Sequence, residues 1–187
     1  MENDIKQAIE VLRGGGVILY PTDTVWGIGC DATNDDAVRR IYDIKQRADT
    51  KAMLVLIDST AKLDYYVSEL PDIALDVIDV ADKPLTIVYS GARNVAASLI
   101  AADGTLGIRV TQESFSHALC QRLRRPLVST SANISGQPTP ANFAEIAPEI
   151  KNAVDFVVTY RQSDTSKATP SAIIQLGAGG LVKVIRI

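Results

Sequence analysis

The chain has 187 residues, 47% hydrophobic and 22% charged, with a net charge of −3 and a pI near 5.2. A chain of this size and ordinary globular composition buries roughly 70% of its unfolded surface, so one compact domain is expected. The mild acidity excludes strong nonspecific attraction to nucleic acid or to an anionic membrane, and any anion site has to be local.

Ile5, Ala8, Ile9 and Leu12 recur at helical spacing, and Gly14, Gly15 and Gly16 then read as the helix stop. A nucleotide-cradling role for the glycines lacks both a spaced-glycine fingerprint and a following Lys-Ser/Thr pair. Val17 to Tyr20 reads as a buried strand ending at Pro21, which delivers Thr22, Asp23 and Thr24 to a sheet edge. A second helix is predicted from Asp35 to Ile44, with Thr33 as its N-cap and Val38, Ile41 and Ile44 inward. Lys45 and Arg47 follow at its end, a position that cations favour through the helix dipole alone.

Met53 to Ile57 reads as a strand, Asp72 to Val80 as a helix with Ile73, Val77 and Val80 inward, and Leu85 to Tyr89 as a strand after Pro84. Leu106 to Val110 is a further strand carrying Arg109. Ser114 to Leu123 is a capped helix, and Leu127 to Ser129 a strand running into the polar turn Thr130, Ser131, Ala132, Asn133. A proline-punctuated helix near Asn142 to Ile150 precedes strands at Phe156, Ser171 to Leu176 and Leu181 to Ile187, the last two joined by a glycine-rich hairpin loop. Gln162 to Thr169 is polar enough for a mobile loop. The alternation describes one α/β domain over residues 1–187 with a mixed sheet.

Cys30 and Cys120 form no Cys-x-x-Cys pattern, which argues against a disulfide scaffold or a thiolate metal site and leaves both reduced and buried. The acidic start and the lack of any ~20-residue apolar run point, by elimination, to a cytoplasmic protein without a membrane role. The glycosylation-like triplet Asn133, Ile134, Ser135 then carries no meaning. His117 stands alone in its helix, with neither a nucleophile motif nor a second histidine, so hydrolase and zinc-enzyme readings lose their supports.

Three loops follow apolar strands and carry hydroxyls and amides: Pro21 to Trp26, Ser129 to Gly136, and Ala168 to Ser171. Each alone is accounted for by turn chemistry. Together they describe a neutral polar pocket at strand ends, where α/β sheets bind ligands. Lys45, Arg47, Lys51 and Arg109 are the cations near them, suited to phosphate or carboxylate. Arg122, Arg124 and Arg125 form a separate cluster that reads as a solvated face or an RNA-touching patch. Trp26 fits a pocket wall and a core position equally well.

The run Pro21, Thr22, Asp23, Thr24, Val25, Trp26, Gly27, Ile28, Gly29, Cys30, Asp31, Ala32 resembles the N-terminal signature of the YrdC-like threonylcarbamoyl-AMP synthases. Ile44 to Arg47 is similar to that family's Lys-x-Arg segment, Pro84 to Thr86 to its Pro-Leu-Thr, and Gly107 to Val110 to its Gly-x-Arg-Val. Ser129 to Gly136 is similar to its Ser-Thr-Ser-Ala-Asn loop, and Pro170, Ser171 to its final Pro-Ser. The resemblance covers nearly the whole chain in its short, single-domain form.

It implies a twisted mixed sheet flanked by helices, with a concave, locally positive groove in which L-threonine and ATP bind side by side and magnesium accompanies the phosphates. The implied reaction takes up bicarbonate as a carbamate on the threonine amine. The carbamate oxygen attacks the α-phosphorus, pyrophosphate leaves, and a separate threonylcarbamoyl transferase complex uses the adduct on tRNA. By resemblance, Lys45, Arg47, Ser131 and Asn133 form the catalytic set, and Thr22, Thr24, Trp26, Lys51, Arg109, Ser129 and Ser171 line the threonine and nucleotide pocket. No metal ligand is assigned. Departures are Ala48, Ala52-Met53, Ala81-Asp82-Lys83 where the family has Trp-Pro-Gly, Trp26 for its tyrosine and Ala172 for its threonine; they touch scaffold and pocket walls more than charged groups. Two other readings stand beside it. One is a double-stranded RNA-binding or ribosome-associated module without catalysis, with tRNA or double-stranded RNA as its partner, which the overall acidity disfavours as the sole function. The other is a carbamoyltransferase-like domain, whose larger relatives carry zinc-finger and acylphosphatase-like modules.

Overall fold

Ile5, Ala8 and Leu12 are buried along one face of α1 (Glu2–Arg13), as their spacing requires. The computed structural model of the protein describes residues 1–46, 53–177 and 180–187. Strand β1 (Ile18–Tyr20) is buried throughout and ends at Pro21, as expected. The polar loop then turns back into β2 (Gly27–Gly29), a strand that no apolar run announces.

Helix α2 (Asp35–Ile44) is capped by Asn34, whose side chain accepts the Ala37 N–H at 3.1 Å. The predicted cap, Thr33, instead donates its hydroxyl to Asp31 Oδ1 at 2.7 Å, closing the turn before the helix. Strand β3 (Leu54–Ile57) leads through a 3-10 turn into the short α3 (Leu63–Tyr66), and α4 (Ile73–Asp79) follows. Ile73 and Val77 pack against the core. Val80 was expected inward, but the helix stops one residue before it and leaves it 80% exposed.

Strands β4 (Leu85–Tyr89) and β5 (Leu106–Val110) and helix α5 (Ser114–Leu123) occur where the pattern puts them. Glu113 caps α5 by accepting the Ser116 N–H at 2.8 Å. Strand β6 (Leu127–Ser131) runs two residues past its expected end, so Thr130 and Ser131 belong to the strand. The single helix expected near residues 142–150 is two pieces, a 3-10 turn Phe143–Glu145 and α6 (Pro148–Ala153). Pro148 takes the first helical position, where its missing N–H costs nothing. Strands β7 (Phe156–Val157), β8 (Ala172–Leu176) and β9 (Val182–Arg186) complete the chain.

The strands form one mixed sheet in the order β7-β1-β2-β6-β3-β5-β4-β8-β9. The pairs β3–β5, β1–β7 and β4–β8 are parallel and the rest antiparallel. Helix α5 packs on β3 and on α1, and the apolar core fills the space between helices and sheet. Cys30 and Cys120 are both free and buried there, as expected, and burial pushes both thiols up. No helix among the described residues is long and apolar enough to cross a membrane.

Candidate active site

Antiparallel pairing of β2 with β6 puts Gly27 opposite Ser131, and pairing of β3 with β6 puts Leu54 opposite Ser129. Parallel β3 and β5 bring Leu56 level with Arg109, and parallel β4 and β8 set Leu85 beside Ala172, one residue past Ser171. The ends of distant segments thus meet around a cleft of about 190 Å³, walled by Thr24, Trp26, Arg109, Ser129, Ser131 and Ser171 among others.

Thr22 organises the first loop. Its hydroxyl donates to Val25 O at 2.8 Å and accepts the Thr24 N–H at 3.0 Å, while the Thr24 hydroxyl lies 3.0 Å from it. Arg161, at φ 66°, donates to Thr22 O at 3.1 Å from outside the loop and is held by Asp164 at 3.0 Å. Ser171 lies 2.9 Å from the Thr86 hydroxyl, and Arg186 donates to Ser171 O at 2.9 Å. Ala168 N–H donates to Ala141 O at 3.2 Å, joining the segments that bring Pro170 and Thr139 to the cleft.

Arg109 is 3% exposed, and its guanidinium lies 2.8 Å from Asp23 Oδ1 and 3.4 Å from Thr24 Oγ1. The approach to Asp23 is an ion pair without hydrogen-bond alignment. Asp23 Oδ1 and Arg109 Nε are both buried without a hydrogen-bond partner. Charge attraction depends on distance rather than alignment, so the pair is real but unsaturated. Burial pushes the Asp23 carboxyl up against the opposing pull of Arg109. Arg186 is pulled down by burial and by the nearby Arg109 charge. Two guanidinium groups of like charge therefore face the cleft, an arrangement favourable once an anion joins them.

Lys45 is 2% exposed and does not open on the cleft. Its ammonium donates to Ser131 O at 2.5 Å and to Asn133 O at 2.7 Å, while Lys45 O accepts the Ser135 N–H at 2.8 Å. Lys45, Ser131 and Asn133 are thus brought together, with the lysine under the turn that carries the other two. Asn133 Nδ2 donates to Ile134 O at 3.0 Å and Gln137 O at 2.8 Å, while its buried Oδ1 has no partner and can accept one. Arg47 and Lys51 lie outside the described residues. Trp26 fills both roles left open for it: it is 6% exposed within the core, lines the cleft, and packs its ring 4.8 Å from that of Phe143.

Arg186, Thr139 and Arg161 were not singled out from the sequence. For Arg186 a signal existed: hairpin pairing sets Ile173 opposite Arg186 and so places the arginine beside Ser171. Arg122 and Arg125 of the separate cluster are paired, with Glu2 at 2.6 Å and Asp31 at 2.5 Å.

A family model described as Sua5_yciO_yrdC, telomere recombination, matches residues 10–187. A threonylcarbamoyl-AMP synthase of Pseudoalteromonas translucida is 37% identical over 160 residues, spanning 84% of this chain and 86% of its own. E. coli YciO superposes with a TM-score of 0.86 at 26% identity, over 100% of this chain and 89% of its own. P. abyssi Sua5, solved in complex with L-threonine, superposes with a TM-score of 0.84 at 26% identity, over 94% of this chain; this chain spans about half of that protein's length, 52%. A family model that runs almost end to end, and a relative matched across most of both chains, place this chain in the Sua5/YciO/YrdC family.

Proposed function

We infer that residues 1–187 act as one YrdC-like unit that makes L-threonylcarbamoyladenylate from L-threonine, bicarbonate and ATP, releasing pyrophosphate and water. The observation that carries this is Arg109: a buried guanidinium with an unsatisfied N–H, set in a cleft of threonine and serine hydroxyls and faced by a second guanidinium, Arg186. A zwitterionic amino acid and a phosphate are the ligands that such neighbours satisfy together. The activity carried by the name of the Pseudoalteromonas relative supports the same reading.

In this reading Arg109 takes the threonine carboxylate, and Thr22, Thr24 and Ser129 orient the amine and hydroxyl. The carbamate oxygen formed on that amine attacks the α-phosphorus of ATP; the bond from that phosphorus to the bridging oxygen breaks, and its electron pair leaves with pyrophosphate. Arg186 and Ser131 face the nucleotide, Ser171 completes the wall, and Lys45 fixes the Ser131–Asn133 turn so that both side chains meet their ligand in place. Arg47 and Lys51 are assigned to the phosphates on the family pattern.

Among the described residues no group of three or more His, Cys, Asp or Glu side chains could hold a metal ion, no Asp or Glu lines the cleft, and Asp23 already faces Arg109. Magnesium would then be held mainly by the phosphate oxygens of ATP, where it would supply charge neutralisation. Cytoplasmic tRNA modification through a downstream threonylcarbamoyl transferase complex completes the proposal. The test is pyrophosphate release by the purified chain with ATP, magnesium, bicarbonate and L-threonine. Release should depend on threonine and bicarbonate and fall at least ~100-fold in Arg47→Ala or Lys45→Ala, the scale of losing a key charge or its support. Release without threonine, or unchanged in both variants, rejects the assignment.

A further inference from the structure

The segment that follows β7 is anchored residue by residue. Val158 N–H donates to Leu19 O of β1 at 2.9 Å. Thr159 gives its N–H and its hydroxyl to the buried Asp4 of α1, at 2.9 Å and 2.8 Å. Tyr160 stacks on Phe115 of α5, with ring centroids 5.9 Å apart. Arg161 comes next at φ 66°, a left-handed conformation that residues other than glycine rarely adopt. Its guanidinium is shared among three segments. Nη1 donates to Thr22 O at 3.1 Å and lies 3.7 Å from Glu113 Oε1, while Nη2 donates to Asp164 Oδ2 at 3.0 Å. Both carboxylates are themselves fixed: Glu113 accepts the Ser116 N–H at 2.8 Å, and Asp164 accepts the N–H and hydroxyl of Ser166 at 3.0 Å and 2.6 Å.

We propose that Arg161 is a positioning residue for the amino-acid end of the cleft: it holds the Thr22 carbonyl so that the Thr22 and Thr24 hydroxyls meet L-threonine in place. The proposal rests on the adenylation reading above and adds to it a residue that does not itself wall the cleft. Its influence runs through the first loop. The Thr22 hydroxyl lies 3.0 Å from that of Thr24, and the Thr24 hydroxyl lies 3.4 Å from the Arg109 guanidinium, which faces Asp23 at 2.8 Å. The stretch Thr22, Asp23, Thr24 is therefore strung between two guanidinium groups, Arg161 outside and Arg109 in the cleft. Because Asp4, Leu19 and Phe115 fix the segment under Arg161, a change at this side chain shifts the loop and leaves its support in place.

The backbone gives no reason for an arginine here. Glycine takes a φ of 66° without steric cost, so what arginine adds at this position is its side chain. A planar guanidinium can serve a carbonyl and two carboxylates in different directions at once, which a lysine ammonium on a flexible stem does less well. A charged donor also holds the Thr22 carbonyl more firmly than a neutral one. The Asp164 carboxyl, pulled down to about 2 by the Ser166 hydroxyl and N–H and then by Arg161, stays ionised as a counter-charge at neutral pH.

The test is calorimetric binding of L-threonine to the full chain, with KM and kcat for pyrophosphate release, in the parent, Arg161→Met, Arg161→Lys and Arg161→Gly. Thermal midpoints report the fold. A lost charge-assisted hydrogen bond is worth about a factor of ten, so Arg161→Met should weaken threonine binding and raise its KM about tenfold, with kcat and the KM for ATP within about twofold of the parent. Arg161→Lys keeps one cationic donor and should recover most of the affinity. Arg161→Gly removes the guanidinium but suits the left-handed backbone; it should bind threonine as weakly as Arg161→Met with a thermal midpoint no lower. Unchanged threonine affinity in the folded Met and Gly variants overturns the proposal. So does an equal loss for ATP, which would mark a general distortion of the cleft. A parent chain that binds no L-threonine rejects both the proposal and the adenylation reading. Threonine affinity that follows Arg161 without any pyrophosphate release keeps the positioning role and rejects the adenylation reading; threonine-dependent release with an affinity indifferent to Arg161 does the reverse.

Discussion

Arg109 joins the stability of the fold to the chemistry of the cleft. At 3% exposure its guanidinium lies 2.8 Å from Asp23, and burial pushes the Asp23 carboxyl up against the opposing pull of that guanidinium. Replacement by methionine keeps the volume and removes the cation, leaving a carboxylate in the same low-dielectric setting. The folded pKa of Asp23 is already raised above the ordinary 3.8, so its contribution to stability is fully present below 3.8 and is lost as pH rises through the folded value. Arg109→Met raises that folded value further and deepens the loss at neutral pH. Urea unfolding should show the variant about 3 kcal/mol less stable near pH 7, with the gap narrowing as pH falls toward 4. An equal deficit at both pH values would show that the pair contributes packing alone. Arg109, Thr22, Thr24 and Ser171 were legible because each lies beside a strand-end proline or inside a strand of clear pattern. Arg161 was not, because its meaning depends on the distant Thr22 O that it faces, and Arg186 needed the hairpin register that sets it opposite Ile173 and beside the Ser171 backbone.

Strand β2 shows why an element can be invisible to periodicity yet indispensable to the site. Its three residues, Gly27, Ile28 and Gly29, offer one apolar side chain, too little for a strand signal. The glycines are there because neighbours come close: a Cβ on Gly29 would lie 2.7 Å from the Tyr20 ring, against the backbone of Val128. Tyr20 is itself fixed by its hydroxyl on Val128 O at 3.1 Å, so neither neighbour can yield cheaply. Gly29→Ala should cost about 2 kcal/mol, overpacking outweighing the entropy gained in the unfolded chain. Because β2 pairs Gly27 with Ser131, the same substitution should raise the KM for threonine; thermal unfolding and a KM measurement on one preparation check both. A stability loss with unchanged threonine KM would show that β2 does not set the spacing of the cleft. The long helices and strands, by contrast, were readable nearly to the residue, since α1, α2, α5, β4 and β5 bury a face at a regular period. The helix expected near residues 142–150 broke at Pro148, and the 3-10 turn and α3 before Val67 passed unnoticed because pieces of three or four residues carry no period.

Over the whole molecule, charge is arranged against the net sign. A chain of net charge −3 sets Arg109 and Arg186 around one cleft, with Asp23 paired to Arg109, while cations elsewhere, such as Arg40, Arg122 and Arg125, are neutralised by carboxylates. Composition alone required any anion site to be local, and the topology makes it so by closing strands from both halves of the sequence into one sheet. The two ends of this concavity differ in exposure, and therefore in screening. Arg109 is buried, and its hold on a threonine carboxylate should be almost indifferent to salt. Arg186 faces solvent, and its hold on the nucleotide phosphates should weaken as the Debye length falls from about 30 Å at 0.01 M to about 10 Å at 0.1 M ionic strength. Over that range the KM for ATP should rise several-fold while that for L-threonine changes by less than about twofold. Parallel salt dependence of the two constants would mean that both ligands lean on the same charges, and the division of the concavity into a buried amino-acid end and an exposed phosphate end would not stand.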